Sequence, residues 1–204
     1  VIATGGKPFV PPIPGIEDVE PLTSENLWEL EDQPGRLVVL GGGPIGSELS
    51  QAFSRLGTQV IQIEMGDRLL PREDADVSEL VLKRFRDEGV DVRLDHRASR
   101  FAVEDGERVV YCEHAGDTVR IPFDRVLVAV GRKGNTEGLG LESLGIEPGP
   151  QGTLPTNDDL SVVFPNIFAC GDVAGPYQFT HMAAHQAWHA AVNWLFGHFK
   201  RFSV

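Results

Sequence analysis

A glycine-rich turn is the segment whose residue types and spacing indicate chemistry most directly. Gly41, Gly43 and Gly46 form the pattern G-x-G-x-x-G immediately after the apolar run at 37–40. Because glycine lacks a Cβ, this spacing allows a sharp turn, the close approach of a pyrophosphate to the backbone, and tight packing of a helix on a strand. A second apolar run ends at Glu64. These features together predict a strand–helix–strand unit that binds a dinucleotide.

The helix expected after this turn would provide the anion site. Its first N–H groups have no partner within the helix and carry a partial positive charge, so a phosphate can bind there without a basic side chain. Pro44 suits the first helical turn, and Gly57 is expected to end the helix. Helical spacing predicts an apolar face made of Ile45, Leu49, Phe53 and Leu56.

Glu64, at the end of the second predicted strand, is the candidate for recognising an adenosine ribose. A carboxylate at this position accepts hydrogen bonds from ribose hydroxyls and would repel the 2′-phosphate of NADP. That repulsion is about 1–5 kcal/mol, depending on the local dielectric. The sequence therefore predicts NADH in preference to NADPH, and the nearby Arg68 would weaken this preference.

Composition narrows the classes of partner. The chain has 204 residues, 41% of them hydrophobic, and a formal net charge of −12. This acidity argues against nucleic acid or an anionic membrane surface as a partner, and we interpret it as favouring solubility. Cys112 and Cys170 lie in apolar runs without metal or redox spacing, so we expect buried, inert thiols. So few cysteines favour a reducing, cytoplasmic location.

Periodicity and capping residues predict two helices around the dinucleotide unit. Residues 23–26 resemble a helix start, with apolar anchors at Leu27, Trp28 and Leu30. A second helix is expected over 76–88, where Asp76 and Glu79 have the spacing of a capping box.

The remaining chain is predicted to supply strands and one long helix. Three alternating segments separated by Asp-Gly and Gly-Asp turns predict an antiparallel meander over 99–103, 108–113 and 118–122. Apolar runs predict buried strands at 1–6, 91–94, 124–130 and 166–170. Residues 180–199 read as an apolar helix, expected to expose Met182, Trp188, Trp194, Leu195 and Phe196 and so to promote a dimer.

Several motifs in one order resemble the FAD-dependent pyridine nucleotide–disulfide oxidoreductases, in the branch of dihydrolipoamide dehydrogenase and the mercuric-reductase-like enzymes. They are V-I-A-T-G-G at 1–6, G-G-G-P-I-G-S-E at 41–48, V-G-R-K-G-N at 130–135, N-I-F-A-C-G-D-V at 166–173 and Q-F-T-H-M-A-A at 178–184. The resemblance implies an α/β fold: a Rossmann-like three-layer domain with a parallel sheet and an antiparallel β-meander, plus parts of a second, FAD-binding domain. Residues 1–20 would be an FAD-domain remnant and linker, 21–135 the NAD-binding domain, and 136–204 the C-terminal part of the FAD-binding domain.

The same resemblance assigns roles to individual residues. Toward NAD, it places Gly41, Gly43, Ile45 and Gly46 at the pyrophosphate, Glu64 at the ribose, Glu48 near the nicotinamide, Ala98 at the adenine, and Gly131 at the border of the site. Toward FAD, Asp172 is similar to the aspartate that hydrogen-bonds the ribityl chain. Thr4 and Gly5 would pack near the flavin, and Phe179, Thr180 and His181 would approach it through their backbone.

The chain also departs from the family pattern. The flavin-binding G-x-G-x-x-G near the N-terminus, the C-x-x-x-x-C redox disulfide and the interface domain with its His-Glu pair are not in this sequence. We therefore expect a central portion of an enzyme that transfers hydride between NADH and FAD and passes electrons to a disulfide or a similar acceptor. The resemblance leaves that acceptor unspecified, implies a homodimer for the complete enzyme, and implies that this portion alone is inactive.

Two alternatives follow from the residues themselves. Because the redox disulfide is missing, a stand-alone module that binds or senses NADH without catalysis is the first. The second is a zinc site formed by His181, His185 and His189, which recur every four residues on one face of the predicted C-terminal helix.

Overall fold

The computed structural model describes residues 1–202, which fall into two compact units. Residues 8–131 form the larger unit; residues 1–7, with the described part of 132–204, form the smaller unit. The strands are β1 (Gly6–Pro8), β2 (Arg36–Leu40), β3 (Gln59–Ile63), β4 (Asp91–Arg93), β5 (Arg97–Glu104), β6 (Glu107–His114), β7 (Asp117–Phe123), β8 (Arg125–Val128) and β9 (Arg132–Gly134). The α-helices are α1 (Pro44–Arg55), α2 (Ala75–Asp87) and α3 (Thr180–Phe196).

A parallel sheet forms the centre of the larger unit, with strand order β4-β3-β2-β8. β2 pairs with β3 on one side and with β8 on the other, and β4 extends the sheet beyond β3. The helices α1 and α2 connect β2 to β3 and β3 to β4, as parallel strands require. This topology brings the carboxyl ends of β2 and β3, which precede the glycine turn and Glu64, to the same edge of the sheet.

The two faces of this sheet bury different partners. Leu37 and Val39 pack with side chains of α1 and α2, whereas Val38 and Leu40 pack with the antiparallel sheet β5-β6-β7. Alternate residues of a strand point to opposite faces, so a continuously apolar strand serves both cores. The predicted three-layer arrangement of helices, parallel sheet and antiparallel meander is therefore confirmed.

The meander closes through two tight turns. Asp105-Gly106 and Ala115-Gly116 all have positive φ, as a two-residue hairpin turn with the right-handed strand twist requires. The second turn lies one residue earlier than the predicted Gly116-Asp117, because Asp117 already begins β7. The strands run from 97 to 123 and are longer than the sequence prediction by one or two residues at every end.

In the smaller unit, β1 pairs with β9, and α3 packs against an irregular apolar core. Ala190 of α3 contacts Leu160, Phe168 and Cys170 in this core. A second cluster is built around Leu154, Ala169 and Val173. Hydrogen bonds join Ile2 to Phe168 and Cys170, so residues 1–7 are tied directly to the later segment.

Five sequence predictions of local structure are wrong in whole or in part. The helix expected after 23–26 is a single 3₁₀ turn, Leu27–Glu29, and Trp28 is 74% exposed rather than an anchor. The α2 helix begins after Asp74, which makes no side-chain cap, so Asp76 lies inside the helix and is not its N-cap. Asp76 accepts from the adjacent Val77 N–H and forms no capping box with Glu79.

The other three errors concern two strands and part of a helix face. Residues 166–170 pair only at single bridges, at Phe168 and Ala169, rather than forming a strand. Likewise, the strand expected over 1–6 is reduced to a single bridge at Ile2, and β1 begins only at Gly6.

The predicted apolar face of α1 is confirmed at Leu49 and Phe53, which pack against the core on this side of the sheet, but Leu56 is 69% exposed. The fully buried positions of α1 are the small residues Gly46, Ser47 and Ser50. Small side chains let the helix lie close to the sheet, so these three residues are more deeply buried than Leu49 and Phe53.

The compact units divide the chain after residues 7 and 131, whereas the sequence division fell after residues 20 and 135. The assignment of these parts to NAD and FAD remains a prediction. In the described part of the chain, no helix is long and apolar enough to cross a membrane.

Candidate functional site

The glycine turn between β2 and α1 is so closely packed that two of its positions must be glycine. Gly41 has a φ of +108°, and a Cβ added to it would lie 2.5 Å from the carbonyl oxygen of Ala129. A Cβ on Gly46 would lie 2.2 Å from the Gly41 carbonyl oxygen. No side chain fits at either position, so the start of α1 sits directly against the turn.

Gly43 differs, because nothing among the described residues requires a glycine there. Its φ is −75°, an ordinary value, and a Cβ added to it would have no heavy atom within 4 Å. Gly43 is the N-cap of α1 and supplies no side-chain hydrogen bond to the helix, and Pro44 occupies the first helical turn as predicted. The N-terminus of α1 is therefore open to an anion that approaches the backbone closely, which is the geometry a pyrophosphate needs.

Glu64 faces this turn from the end of β3. Its Oε2 accepts a hydrogen bond from the Gly42 N–H at 2.6 Å, and its Oε1 accepts from the Gly66 N–H at 2.7 Å. The carboxylate is half-buried and fixed in position, yet each of its oxygens can accept a further hydrogen bond from a ligand. Sequence reasoning missed Gly42 and Gly66, although a Cβ on Gly42 would lie 2.9 Å from Oε2 and one on Gly66 3.2 Å from Oε1.

Gln62, two residues before Glu64, is a second residue that sequence reasoning missed. Its side chain is fully buried between α1 and the sheet, and its Nε2 donates to the Gly41 carbonyl oxygen at 3.0 Å. A lone polar residue inside an apolar strand was the available signal, because such a side chain must find a hydrogen-bond partner.

The other residues predicted to contact NAD lie on different elements of the larger unit. Glu48 is exposed on α1, and Ile45 is half-buried in the first turn of the same helix. Ala98 is half-buried in β5 and packs against the core shared with the meander. Gly131 ends the unit with a φ of +142° and accepts from the Phe9 N–H. Arg68 donates to the Pro71 carbonyl oxygen within its own loop.

In the smaller unit, Asp172 lies in the short turn Gly171–Val173. Its Oδ2 accepts from the Arg132 Nε at 3.2 Å, and the Arg132 Nη2 donates to the Gly6 carbonyl oxygen at 2.6 Å. A Cβ on Gly6 would lie 3.2 Å from the Asp172 Cβ. The carboxylate is thus held beside β1, and its Oδ1 makes no hydrogen bond to the described residues.

Backbone and buried polar groups shape the rest of this region. The Thr4 hydroxyl donates to the Asn135 carbonyl oxygen at 2.6 Å, and the Asn135 N–H donates to the carbonyl oxygen of Gly5, whose φ is +71°. Buried Gln186 of α3 accepts from the Gly171 N–H at 2.7 Å and donates to the Gly175 carbonyl oxygen at 2.9 Å. Sequence reasoning missed Gln186, which fixes the turn carrying Asp172.

The remaining residues predicted near the flavin begin α3. Phe179 is the N-cap and Thr180 the first helical residue, and both are exposed, as is His181. The rings of Phe179 and His181 are nearly parallel, with centroids 5.5 Å apart. The first turn of α3 has no side-chain cap, so its N–H groups are open to a ligand.

Comparison with known proteins decides the family. Residues 1–191 match the family model described as pyridine nucleotide-disulphide oxidoreductase. The chain belongs to this family. Mercuric reductase from Staphylococcus aureus is 38% identical over 195 residues, which cover 96% of this chain and 36% of that protein. Dihydrolipoyl dehydrogenase from Bacillus subtilis is 36% identical over 186 residues, which cover 91% and 40% respectively.

A solved structure gives the same result at the level of the fold. The HOCl-induced flavoprotein disulfide reductase RclA from Escherichia coli matches with a TM-score of 0.86 and 34% identity, over 97% of this chain and 45% of that one. The chain therefore has the Rossmann-type fold of the FAD- and NAD(P)-binding oxidoreductases, and the family uses FAD and a pyridine nucleotide. It spans less than half the length of these relatives.

Both cysteines of this family member are free and buried, as predicted. Burial raises the pKa of the Cys112 thiol to about 11 and also raises the pKa of Cys170. Because the thiolate is the reactive form in disulfide exchange, neither thiol is suited to that chemistry at neutral pH.

The zinc alternative receives no geometric support. Within residues 1–202, no three His, Cys, Asp or Glu side chains come together in a way that could hold a metal ion. His189 is 7% exposed and its Nδ1 contacts the His185 carbonyl oxygen, while the His181 ring packs parallel to Phe179. The rings of His185 and His189 also pack against Phe202, so these histidines contact aromatic neighbours.

Proposed function

We propose that this chain is the NAD(H)-binding portion of a flavoprotein oxidoreductase in which hydride passes between NADH and FAD. In the complete enzyme this transfer would be coupled to a redox-active disulfide, as in dihydrolipoamide dehydrogenase. The observation that supports NADH binding most strongly is the open N-terminus of α1 beside Gly43, next to a carboxylate that Gly42 and Gly66 already fix in place. A pyrophosphate and an adenosine ribose fit this pair of features.

The larger unit would hold the dinucleotide through its own backbone and Glu64. The N–H groups at the start of α1 would bind the pyrophosphate, and Glu64 would accept from the ribose hydroxyls. Ala98 and Gly131 would border the adenine and the rest of the ligand. Glu48, exposed on α1, would lie near the nicotinamide and orient it.

The smaller unit would contribute part of the FAD site. Asp172 would accept from a ribityl hydroxyl through Oδ1, while Arg132 keeps its other oxygen in place. Thr4 and Gly5 would pack near the flavin, and the N–H groups at Phe179, Thr180 and His181 would approach it. When bound, FAD supplies the two-electron redox chemistry, and the protein supplies position and electrostatics.

A stand-alone module that binds NADH is the second candidate. The observation in its favour is that both thiols are buried with raised pKa values, so this chain has no group for disulfide exchange. A full-length gene product that carries a C-x-x-x-x-C pair would exclude it. The cytoplasmic location and the homodimer of the complete enzyme likewise belong to the proposal.

Parallel calorimetric titrations of the 204-residue chain with NADH, NADPH and FAD test the proposed function. Saturable NADH binding with weaker NADPH binding is the expected result, because Glu64 opposes a 2′-phosphate. Equal affinity for the two nucleotides would contradict the role of Glu64. A folded chain that binds neither would contradict the dinucleotide site itself.

A further inference from the structure

Gln62 occupies an unusual place for a polar side chain. It lies in β3 at the centre of the parallel sheet, in register with Val39 of β2 and Val92 of β4, and it is 0% exposed. Strands buried on both faces are normally apolar, because a buried amide is unfavourable unless it is hydrogen-bonded. Its Nε2 donates to the Gly41 carbonyl oxygen at 3.0 Å and contacts the Ser47 Oγ at 3.4 Å.

The orientation of the amide follows from its partner. A carbonyl oxygen can only accept, so the Nε2 rather than the Oε1 of Gln62 must face Gly41. The Oε1 has no hydrogen-bond partner among the described residues, so the contacts of this buried amide are made on the side of the glycine turn. Gln62 is therefore directed at the turn and not at its neighbours in the sheet.

One planar peptide connects Gln62 to Glu64. The carbonyl of Gly41 and the N–H of Gly42 belong to the same peptide group, which is planar and points these two groups in opposite directions. Gln62 holds the carbonyl from inside the sheet, and the N–H on the other side donates to the Glu64 Oε2 at 2.6 Å. Rotation of this peptide would break both hydrogen bonds at once.

We propose that Gln62 is a positioning residue for nucleotide selectivity. By fixing the Gly41–Gly42 peptide, it holds one oxygen of the Glu64 carboxylate in place for the ribose hydroxyls, and it thereby strengthens the preference for NADH over NADPH. This inference rests on the proposed function. Gln62 is buried and is not expected to contact the ligand, yet it would contribute to the discrimination between NADH and NADPH that Glu64 makes.

The test compares NADH and NADPH affinities of the 204-residue chain and its variants by calorimetry. Gln62→Met keeps the length of the side chain and removes the donor. We expect the Kd for NADH to rise roughly fivefold, which is the effect of losing one hydrogen bond at the ribose. The Kd for NADPH should change less than about twofold. A purely structural defect would weaken the binding of both nucleotides by the same factor. A change in the ratio of the two affinities therefore distinguishes the positioning role of Gln62 from a general loss of structure.

Two further variants complete the experiment. Gln62→Asn retains an amide but shortens its reach, so it should change the ratio in the same direction, even if Gln62→Met folds poorly. Ser50→Ala is the matched control, because Ser50 is equally buried on α1 and its Oγ has no partner among the described residues. We expect this variant to keep both affinities.

The outcomes separate this inference from the proposed function. Suppose that the wild-type chain binds NADH selectively, but folded Gln62 variants keep the wild-type ratio of NADH to NADPH affinity. The same ratio is kept if both affinities fall by the same factor. In either case positioning by Gln62 is wrong and the proposed function stands. If the folded wild-type chain binds no NADH, the proposed function fails, and this inference fails with it.

Discussion

Individual glycines of the nucleotide turn have different physical roles. Gly41 and Gly46 are required by the chain's own packing, since an added Cβ would come within 2.5 Å and 2.2 Å of a carbonyl oxygen. Gly43 has an ordinary φ and open space at its Cβ. A single sequence pattern therefore combines two positions that serve the fold with one that serves a ligand.

This difference predicts opposite phenotypes for two alanine substitutions. Gly43→Ala should leave the melting temperature of the apo chain nearly unchanged but weaken NADH binding at least about tenfold, because the methyl group occupies the path of the pyrophosphate. Gly46→Ala should destabilise the fold by several kcal/mol, because the Gly41 carbonyl must move. Thermal unfolding and calorimetry on both variants check this, and full NADH affinity in Gly43→Ala would contradict a pyrophosphate at this glycine.

Glu64 offers a second prediction at the scale of one residue. Glu64→Arg removes the acceptor for ribose hydroxyls and places a positive charge where the 2′-phosphate of NADPH would lie. Affinity for NADPH should rise relative to NADH by at least roughly tenfold, an amount within the range of one charge contact. Glu79→Arg serves as the control, since it makes the same charge change at an exposed position of α2 and should leave the ratio unchanged.

Secondary-structure elements are joined by polar contacts as well as by the two cores. Glu88, at the C-terminal end of α2, accepts from Arg55 and Gln51 of α1 and pairs with Arg84 of its own helix. The hydrogen bond from Arg55 is the main reason that the pKa of Glu88 falls from 4.5 to about 2. This carboxylate therefore links the ends of the two helices that cover one face of the sheet.

The lowered pKa gives this link a defined pH dependence. A carboxylate with a depressed pKa in the folded state stabilises the fold above its unfolded pKa and loses this effect as the pH falls through its folded pKa. Glu88→Gln should therefore be less stable than wild type at pH 7, and the difference should shrink between pH 4.5 and about 2. Denaturant unfolding across this range measures it.

Glu79→Gln is the matched control for that comparison, because Glu79 is an exposed carboxylate on the same helix and makes no hydrogen bond among the described residues. Its stability should follow the wild type at every pH. A Glu88→Gln difference that does not depend on pH would show that the ionised carboxylate is not what joins α1 to α2.

At the scale of the whole molecule, exposed apolar residues cluster on α3 and the segment after it. Trp188, Trp194, Leu195, Phe196 and Phe199 are each more than half exposed. Surfaces of this kind promote association, because covering them removes apolar area from water. The exposure expected from the sequence is confirmed for the four of these residues that it named, whereas Met182 is only half-exposed.

This surface predicts self-association of the 204-residue chain. Light scattering should show a dimer at high concentration, and the double substitution Trp194→Ser with Phe196→Ser should shift it toward monomer. Leu80→Ser, which removes an exposed leucine of α2 that is 68% accessible, should not. A wild-type chain that stays monomeric at high concentration would count against association through α3.

The sequence by itself determined the strand–turn–helix–strand unit, because local rules act there in agreement. Continuous apolar runs at 37–40 and 60–63, the glycine spacing and Pro44 each favour the same structure. The three strands of the meander were also predictable, because turn residues with positive φ separate alternating segments. Motif order along the chain indicated the family, and the comparisons confirm it.

Only the tertiary structure decided which groups meet near the turn. No motif specifies the roles of Gln62, Gly42 and Gly66; these roles arise because parallel pairing brings the end of β3 beside the end of β2. Likewise, packing against the sheet buries the small residues of α1 most deeply and leaves Leu56 exposed. The earlier start of α2 places Asp76 inside the helix, so the expected capping box does not form. Such contacts join residues distant in sequence or depend on competing local partners, so periodicity and spacing do not specify them.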